Sequence, residues 1–300
     1  MQSNCPEQSV FVRHNCSSTT AILQQLWNER KIALHYEDKF SVIPEDFSPA
    51  GRKALKRLLR YSESGAIVGA DFRQLNGEKM LVGILNKDSK VEATMFCDPE
   101  SGESFIYRVV KLSKAVEVPY VDYPLLAGIQ PRQATITGWP SARKILWAAL
   151  KNESLPREAS SLHPSQLEVL CYEWLRGRGK LDRLVLTIGR GVIDIDILGI
   201  GQGDKRVIAQ VTHSVNVSDL RDKKDRLLRH GRRGVDTMFF FLPDLARLDP
   251  CEGVELVTLG SVLKDLESTS ESDASTKAML QEMFAENRQP STIQLQPGTA

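Results

Sequence analysis

The chain reads as an α+β protein of two domains, and three observations carry that reading. Its 300 residues are more than one hydrophobic core usually organises. Near residue 150 the composition changes, and KNESLPREASSLHPS, residues 151–165, is polar and interrupted by proline, as linkers are. On either side of it, strand-like runs and amphipathic helices follow one another without an internal repeat. The first unit reads as a small β-rich, barrel-like domain with helices, the second as a mixed sheet flanked by helices.

In order along the chain, residues 1–20 are mostly polar and are expected to be flexible. The β-rich unit spans 21–150. AILQQLW is a short amphipathic helix and KIALHYED a strand. SPAGRKALKRLLRY reads as a helix with Ser48 as its cap and Pro49 at its first position. GAIVGADFR, KMLVGILN, VEATMF and FIYRVVKL are strand candidates, separated by LNGE, NKDS and DPESGE, whose Asn, Asp and Gly favour tight turns. WPSARKILWAAL closes the unit as a helix with Ser141 as its cap. After a linker at 151–160, a second domain at 161–268 opens with HPSQLEVLCYEWLRGRG. There Leu167, Leu170, Cys171, Trp174 and Leu175 recur at buried-stripe spacing. Strands follow at LDRLVLTI, Gly191–Leu198 and RVIAQVTHS, then a charged helix from Asp219 to Arg233, strands DTMFFFLP and GVELVTL, and a helix SVLKDLES. Residues 269–300 are rich in Ser, Thr, Gln and Pro and read as a mostly disordered tail, with AMLQEMFAE able to form a helix on a partner.

Composition excludes several classes. The 41% hydrophobic and 26% charged content is ordinary for a soluble domain protein. No run approaches the ~18 apolar residues of a membrane span. The N-terminus lacks the basic and apolar regions of a secretory signal. Five scattered cysteines without a CxxC pair argue against a disulfide framework or a zinc site, so a cytoplasmic location is expected. A net charge of +1 gives no global attraction to nucleic acid, so any basic surface must be local.

The chemistry gathers between Gly191 and Ser214, in GVIDIDILGIGQGDKRVIAQVTHS. A turn near Gly203 and Asp204 sets Asp196 opposite Gln210–Val211 on an antiparallel strand. Residues two apart share a face, so Asp194 and Asp196 form one row and Gln210 and Thr212 another. Ile193, Ile195 and Ile197, with Ile208, are expected on the opposite face. Carboxylates beside an amide oxygen are the hard ligands that Mg²⁺ or Mn²⁺ prefers. Such an ion activates water and neutralises charge on a phosphodiester. Glu168 stands three residues after Ser165, at capping-box spacing, and can serve the helix start, the site, or both. His213 falls off the acid row and reads as structural.

These residues resemble the PD-(D/E)XK nuclease superfamily, the restriction-endonuclease-like fold, over roughly Ser161 to Glu267. Glu168 matches the acid on that family's first core helix, Asp196 the strand aspartate, and Gln210 the acid-or-glutamine position. The glutamine variant resembles the Mrr-like branch, whose members act on DNA. The resemblance implies a metal set drawn from Asp194, Asp196, Gln210 and Glu168, with Mg²⁺ or Mn²⁺ as cofactor. The sequence departs from the family two residues after Gln210, where Thr212 replaces a lysine. Either Lys223 or Lys224 of the next helix reaches back to the site, or the site is degenerate and the domain only binds nucleic acid.

That helix carries Arg221, Lys223, Lys224, Arg226, Arg229, Arg232 and Arg233 against three aspartates. It reads as a nucleic-acid contact through charge and counterion release, or as a solvated face of i,i+3 and i,i+4 pairs. Lys264–Glu286 is acidic and is expected to cover the basic surface. The expected function is metal-dependent DNA endonuclease activity in bacterial defence against foreign DNA. Its alternative is a degenerate nuclease fold serving as a nucleic-acid-binding or assembly subunit. RNA stays open as a substrate, and a homodimer and a helicase, ATPase or other defence protein as partners. The N-terminal unit loosely resembles PUA-like or EVE-like barrels. That resemblance implies base reading by Tyr36, Phe72, Tyr107, Tyr120, Tyr123 and Trp139. In a small barrel the same residues are as readily core, and protein interaction is the other role for the unit.

Overall fold

The computed structural model describes residues 5–14, 20–75, 77–132, 135–189 and 194–286. The chain divides between Leu155 and Pro156 into two units, both α+β. No helix among the described residues is long and apolar enough to cross a membrane.

The first unit runs β1 (Ser9–Arg13), α1 (Thr20–Asn28), β2 (Lys31–Leu34), α2 (Pro49–Ser64), β3 (Ala66–Asp71), β4 (Lys79–Leu85), β5 (Glu92–Cys97), β6 (Ser104–Lys111), β7 (Ser113–Pro119), α3 (Pro124–Gly128), β8 (Ile136–Gly138) and α4 (Arg143–Lys151). A five-stranded sheet has the order β7-β4-β3-β1-β8, and a three-stranded sheet the order β2-β6-β5. Both sheets, with α1 and α2, enclose one core that includes Val10, Leu23, Leu55, Val68, Tyr107 and Val109. On the other face of the larger sheet the Phe11 and Trp139 rings meet edge to face at 5.1 Å.

Residues 9–13 overturn the expectation of a flexible segment over 1–20. SVFVR is a central strand, parallel to β3 and antiparallel to β8, with Val10, Phe11 and Val12 wholly buried. A strand covered on both faces reads as a short apolar run, and averaging over polar neighbours hides it. Residues 1–4 and 15–19 of that expectation lie outside the described residues. The aromatics considered for a base pocket are largely core. Phe72, Tyr107, Tyr123 and Trp139 are buried, and Phe72 stacks on the buried His14.

The second unit is α5 (Pro164–Gly177), β9 (Arg183–Leu184), β10 (Ile197–Ile200), β11 (Arg206–Val211), α6 (Val217–His230), β12 (Thr237–Leu242), β13 (Val254–Thr258), α7 (Leu259–Ser270) and α8 (Ala274–Met283). Its sheet has the order β13-β12-β11-β10-β9, parallel between β11, β12 and β13 and antiparallel between β9, β10 and β11. Trp174 of α5 packs edge-on against Phe239 and Phe241. The alternate residues Ile208 and Phe240 pack with Leu220 and Leu227 of α6. Parity therefore puts α5 and α6 on opposite faces of this sheet.

Two expectations fail here. Within the stretch read as a disordered tail, Asp273 caps α8, and Leu280 and Phe284 are wholly buried. Two apolar anchors outweigh a polar composition, and the helix stays on its own domain, where Met283 accepts a bond from Gln166. Residues 287–300 lie outside the described residues. Three of the six acids of Lys264–Glu286 meet Arg157 or Arg178 and none pairs with the basic helix among the described residues, the pairs being Glu286–Arg157, Glu267–Arg157 and Asp265–Arg178.

Candidate active site

The hairpin register is the one the turn predicts. Ile197 pairs with Ala209 and Leu198 with Ile208, and Asp196 N donates to Ala209 O at 3.0 Å, opposite Gln210. The strand itself begins later than expected, at Ile197. Asp194 sits in a turn with φ of 70°, so Asp194 and Asp196 do not form an alternating row. Asp194 instead pairs through Oδ1 with Arg226 Nη1 of α6 at 3.0 Å. Ile208 lies on the Gln210 face with α6, not opposite it, because residues two apart on β11 share a face. Ile193 lies outside the described residues.

Asp196 is fixed by two donors to one oxygen. Val211 N reaches Oδ2 at 2.7 Å and Gln210 Nε2 reaches it at 2.6 Å. Oδ1 accepts no hydrogen bond among the described residues. Burial pushes the Asp196 carboxyl up, against the lowering effects of the Val211 N–H and of Lys223. Gln210 is 6% exposed, and its Oε1 is buried with no partner. A buried carbonyl without a donor or cation costs on the order of 1–3 kcal/mol, so this oxygen is one to which a ligand would bind.

Glu168 completes the group from α5. Its capping role falls away because His163 is the cap: His163 Nδ1 accepts from Ser165 N, and Gln166 Oε1 accepts from His163 N. Glu168 has no hydrogen-bond partner among the described residues. Burial first, and repulsion from Asp196 second, push its carboxyl up to about 7. Gly189, at φ of 72°, lies against it, where an added Cβ would sit 2.1 Å from Glu168 Oε2. Gly189 N also donates to Asp196 O at 2.9 Å, so this loop ties the two acids together. Cys171, one turn along α5, is buried, and desolvation followed by the two carboxyls holds its thiol protonated.

A lysine of α6 reaches the Thr212 side chain. Lys223 Nζ donates to Thr212 Oγ1 at 3.0 Å, lies 3.4 Å from Asp219 Oδ2, and is close enough to Asp196 to stabilise its charge. Lys224 makes no such contact. Sequence reasoning named both lysines but could not choose, since no pattern spacing links Thr212 to Lys223. It missed Gly189 and the Arg226–Asp194 pair for the same reason.

The basic helix is only partly free. Arg226 is taken by Asp194, Lys223 by Thr212 and Asp219, and Arg221 lies 3.9 Å from Asp249. The helix ends at His230, short of the expected Arg233, and beyond it Arg232, with Arg206, holds the buried Asp236, whose carboxyl stays well below the usual range. Lys224, Arg229 and Arg233 have no acidic partner among the described residues.

Asp196 Oδ1 and Gln210 Oε1, which have no hydrogen-bond partner among the described residues, and the Glu168 carboxyl, close enough to Asp196 to feel its charge, are oxygen donors of the kind a hard divalent cation takes. Among the described residues no three His, Cys, Asp or Glu side chains gather as a metal set, and Asp194 is engaged with Arg226.

No protein-family model and no curated protein matches the chain. Among solved structures, it is similar to an MspJI restriction endonuclease in complex with a 27-mer oligonucleotide. That likeness has 12% identity and a TM-score of 0.28, and covers 86% of this chain and 74% of that one. It is also similar to AspBHI, a DNA modification-dependent restriction endonuclease, with 13% identity, a TM-score of 0.26, and coverage of 85% and 80%.

Proposed function

We propose that the C-terminal unit hydrolyses phosphodiester bonds in DNA with the help of Mg²⁺ or Mn²⁺, in defence against foreign DNA. One observation carries the reading: the Gln210 side chain donates to Asp196 Oδ2 while its buried Oε1 has no partner among the described residues, and the Lys223 ammonium meets Thr212, the residue that stands where the resembled family has a lysine. A divalent cation on Glu168, Asp196 and Gln210 would neutralise charge building on the phosphate and acidify a water. The chain's own part is positional. The Val211 N–H fixes the Asp196 carboxylate before substrate arrives. Glu168, at about 7, gives up its proton near neutral pH and becomes an anionic ligand. Thr212 holds the Lys223 ammonium, which can donate to a phosphate oxygen or to the attacking water as negative charge grows. Lys224, Arg229 and Arg233 are free to take backbone phosphates.

A second reading has its own observation, the threonine at position 212. In that reading the site is degenerate, and the protein is a nucleic-acid-binding or assembly subunit beside a helicase or ATPase. Both are tested on one preparation. Wild type and Asp196→Ala, matched for thermal stability, are incubated with plasmid, single-stranded DNA and RNA in Mg²⁺, Mn²⁺ or EDTA, with binding followed in parallel. Metal-dependent cutting lost in Asp196→Ala supports the nuclease. Equal binding without cutting supports the second reading, and neither binding nor cutting refutes both.

A further inference from the structure

Helix α2 of the first unit presents a face of five cations that the candidate nuclease site does not use. Its apolar stripe, Ala54, Leu55, Leu58 and Tyr61, is buried. The remaining positions carry Arg52, Lys53, Lys56, Arg57 and Arg60, which line an open groove of about 470 Å³ with Pro49. A solvated charged face normally interleaves acids at i+3 or i+4. Here no acid occurs between Pro49 and Arg60, and Arg52–Lys56, Lys53–Arg57 and Lys56–Arg60 are like charges one turn apart. Lys56 alone meets a carboxylate, Glu45 at 2.9 Å, and that pair is largely exposed and screened.

Two of the arginines are held by backbone. Arg52 Nη2 donates to Glu45 O at 3.1 Å, and Arg57 Nη1 donates to Ile136 O at 2.9 Å. Each guanidinium keeps further N–H groups for a planar oxyanion, at reduced entropy cost because one arm is already fixed. From Arg52 to Arg60 the helix rises about 12 Å. One DNA strand carries a phosphate about every 3.4 Å along the axis, so the face matches a run of about three or four. A small anion would need an enclosed pocket, whereas this groove is open and cationic along its length, which suits an extended polyanion.

We propose that this face binds the phosphate backbone of duplex DNA, giving the first unit a sequence-independent grip of its own. The proposal rests on the DNA-directed reading only for the identity of the polyanion. The test uses the full chain carrying Asp196→Ala in EDTA, so that cutting is not read, with a fluorescent 30-base-pair duplex and a KCl series. Lys53→Glu with Arg60→Glu is compared with Lys87→Glu and Lys90→Glu, an equal charge change at exposed positions of the turn after β4. The α2 pair is expected to weaken binding at least tenfold at 100 mM salt. It should also flatten the slope of log K against log salt by about two. The control pair should change affinity less than threefold. Unchanged binding by the α2 pair, or equal weakening by both pairs, overturns the proposal. So does loss of sedimentation with phosphatidylserine vesicles while duplex binding stays intact, which would assign the face to anionic membrane. A wild type that binds through α2 but never cuts would sink the nuclease reading and leave this one standing.

Discussion

Glu168→Gln isolates the electrostatics of the candidate site from its shape. The Glu168 carboxyl rises from 4.5 to about 7 on folding. Because the folded value is the higher one, the folded state binds the proton more tightly. The associated stability is complete below about 4.5 and is lost as pH rises through about 7. A rise of that size corresponds to at most about 3.4 kcal/mol. Glu168 is only half-buried, so solvent screening should leave about 1–2 kcal/mol. Glutamine keeps the volume and cannot ionise. In EDTA, wild type should therefore lose this increment between pH 5 and pH 8.5, while Glu168→Gln should not. Urea unfolding of both proteins at the two pH values measures it, and the variant should be the more stable at pH 8.5 by about 1–2 kcal/mol. Mn²⁺ should reverse the order at pH 8.5, because the ion stabilises the ionised wild-type site by mass action. Parallel pH dependences in the two proteins would show that burial and Asp196 do not load this carboxyl, and the argument for a cation-seeking site would lose its electrostatic half.

The relocated lysine is tested by moving it back. Lys223→Ala should lower cleavage about 10²–10³-fold, and adding Thr212→Lys should recover a large part of it; no recovery would mean that Lys223 acts only as a fold contact. Gly189→Ala should cut Mn²⁺ affinity and activity together, since its Cβ would enter the space of Glu168 Oε2 and a positive φ is unfavourable for alanine. Unaltered Mn²⁺ binding by calorimetry would show that the loop yields freely. Asp194→Asn should leave Mn²⁺ affinity within about threefold, because Arg226 already holds that carboxylate; a loss of tenfold or more would put Asp194 among the ligands. Cation affinity of the wild type should rise as pH approaches about 7 and level off above it, as the proton on Glu168 ceases to compete.

How much of this is legible in the sequence depends on the range of the interaction involved. Elements with local signatures read correctly: the buried stripe of α5, the turn that sets Asp196 against Gln210, and the apolar run of β12. Those features depend on residues a few positions apart, where periodicity and turn chemistry act. The central strand β1 and helix α8 were hidden because a few apolar residues were averaged into polar surroundings. The burial of β1 is decided by β3 and β8, far along the chain, and α8 packs on its neighbour α7 and bonds to Gln166 of the distant α5.

The site divides along the same line. That Asp196 would stand beside Gln210 could be read because a hairpin register is a short-range fact. The choice between Lys223 and Lys224 could not, since it rests on which face α6 lays on β11. Leu220 and Leu227, the buried residues of α6, mark the seam that both lysines flank. Each lysine lies three residues from one leucine and four from the other, so Lys223 and Lys224 flank the buried seam on opposite sides, about 100° apart. With the leucines packed against Ile208, the direction in which α6 crosses β11 decides between the two flanks, and Lys223 is the one whose ammonium meets Thr212, two residues beyond Gln210. A lysine at position 212 would need only its own strand to place it. A lysine at 223 needs the α6–β11 packing to be right, so loosening that contact should disable the ammonium while leaving the three oxygens in place. Leu227→Ala is the variant that separates the two. It should cost about 2–4 kcal/mol of stability and lower cleavage more than it lowers Mn²⁺ affinity. Equal losses in both would mean that the oxygens and the ammonium are held by the same packing.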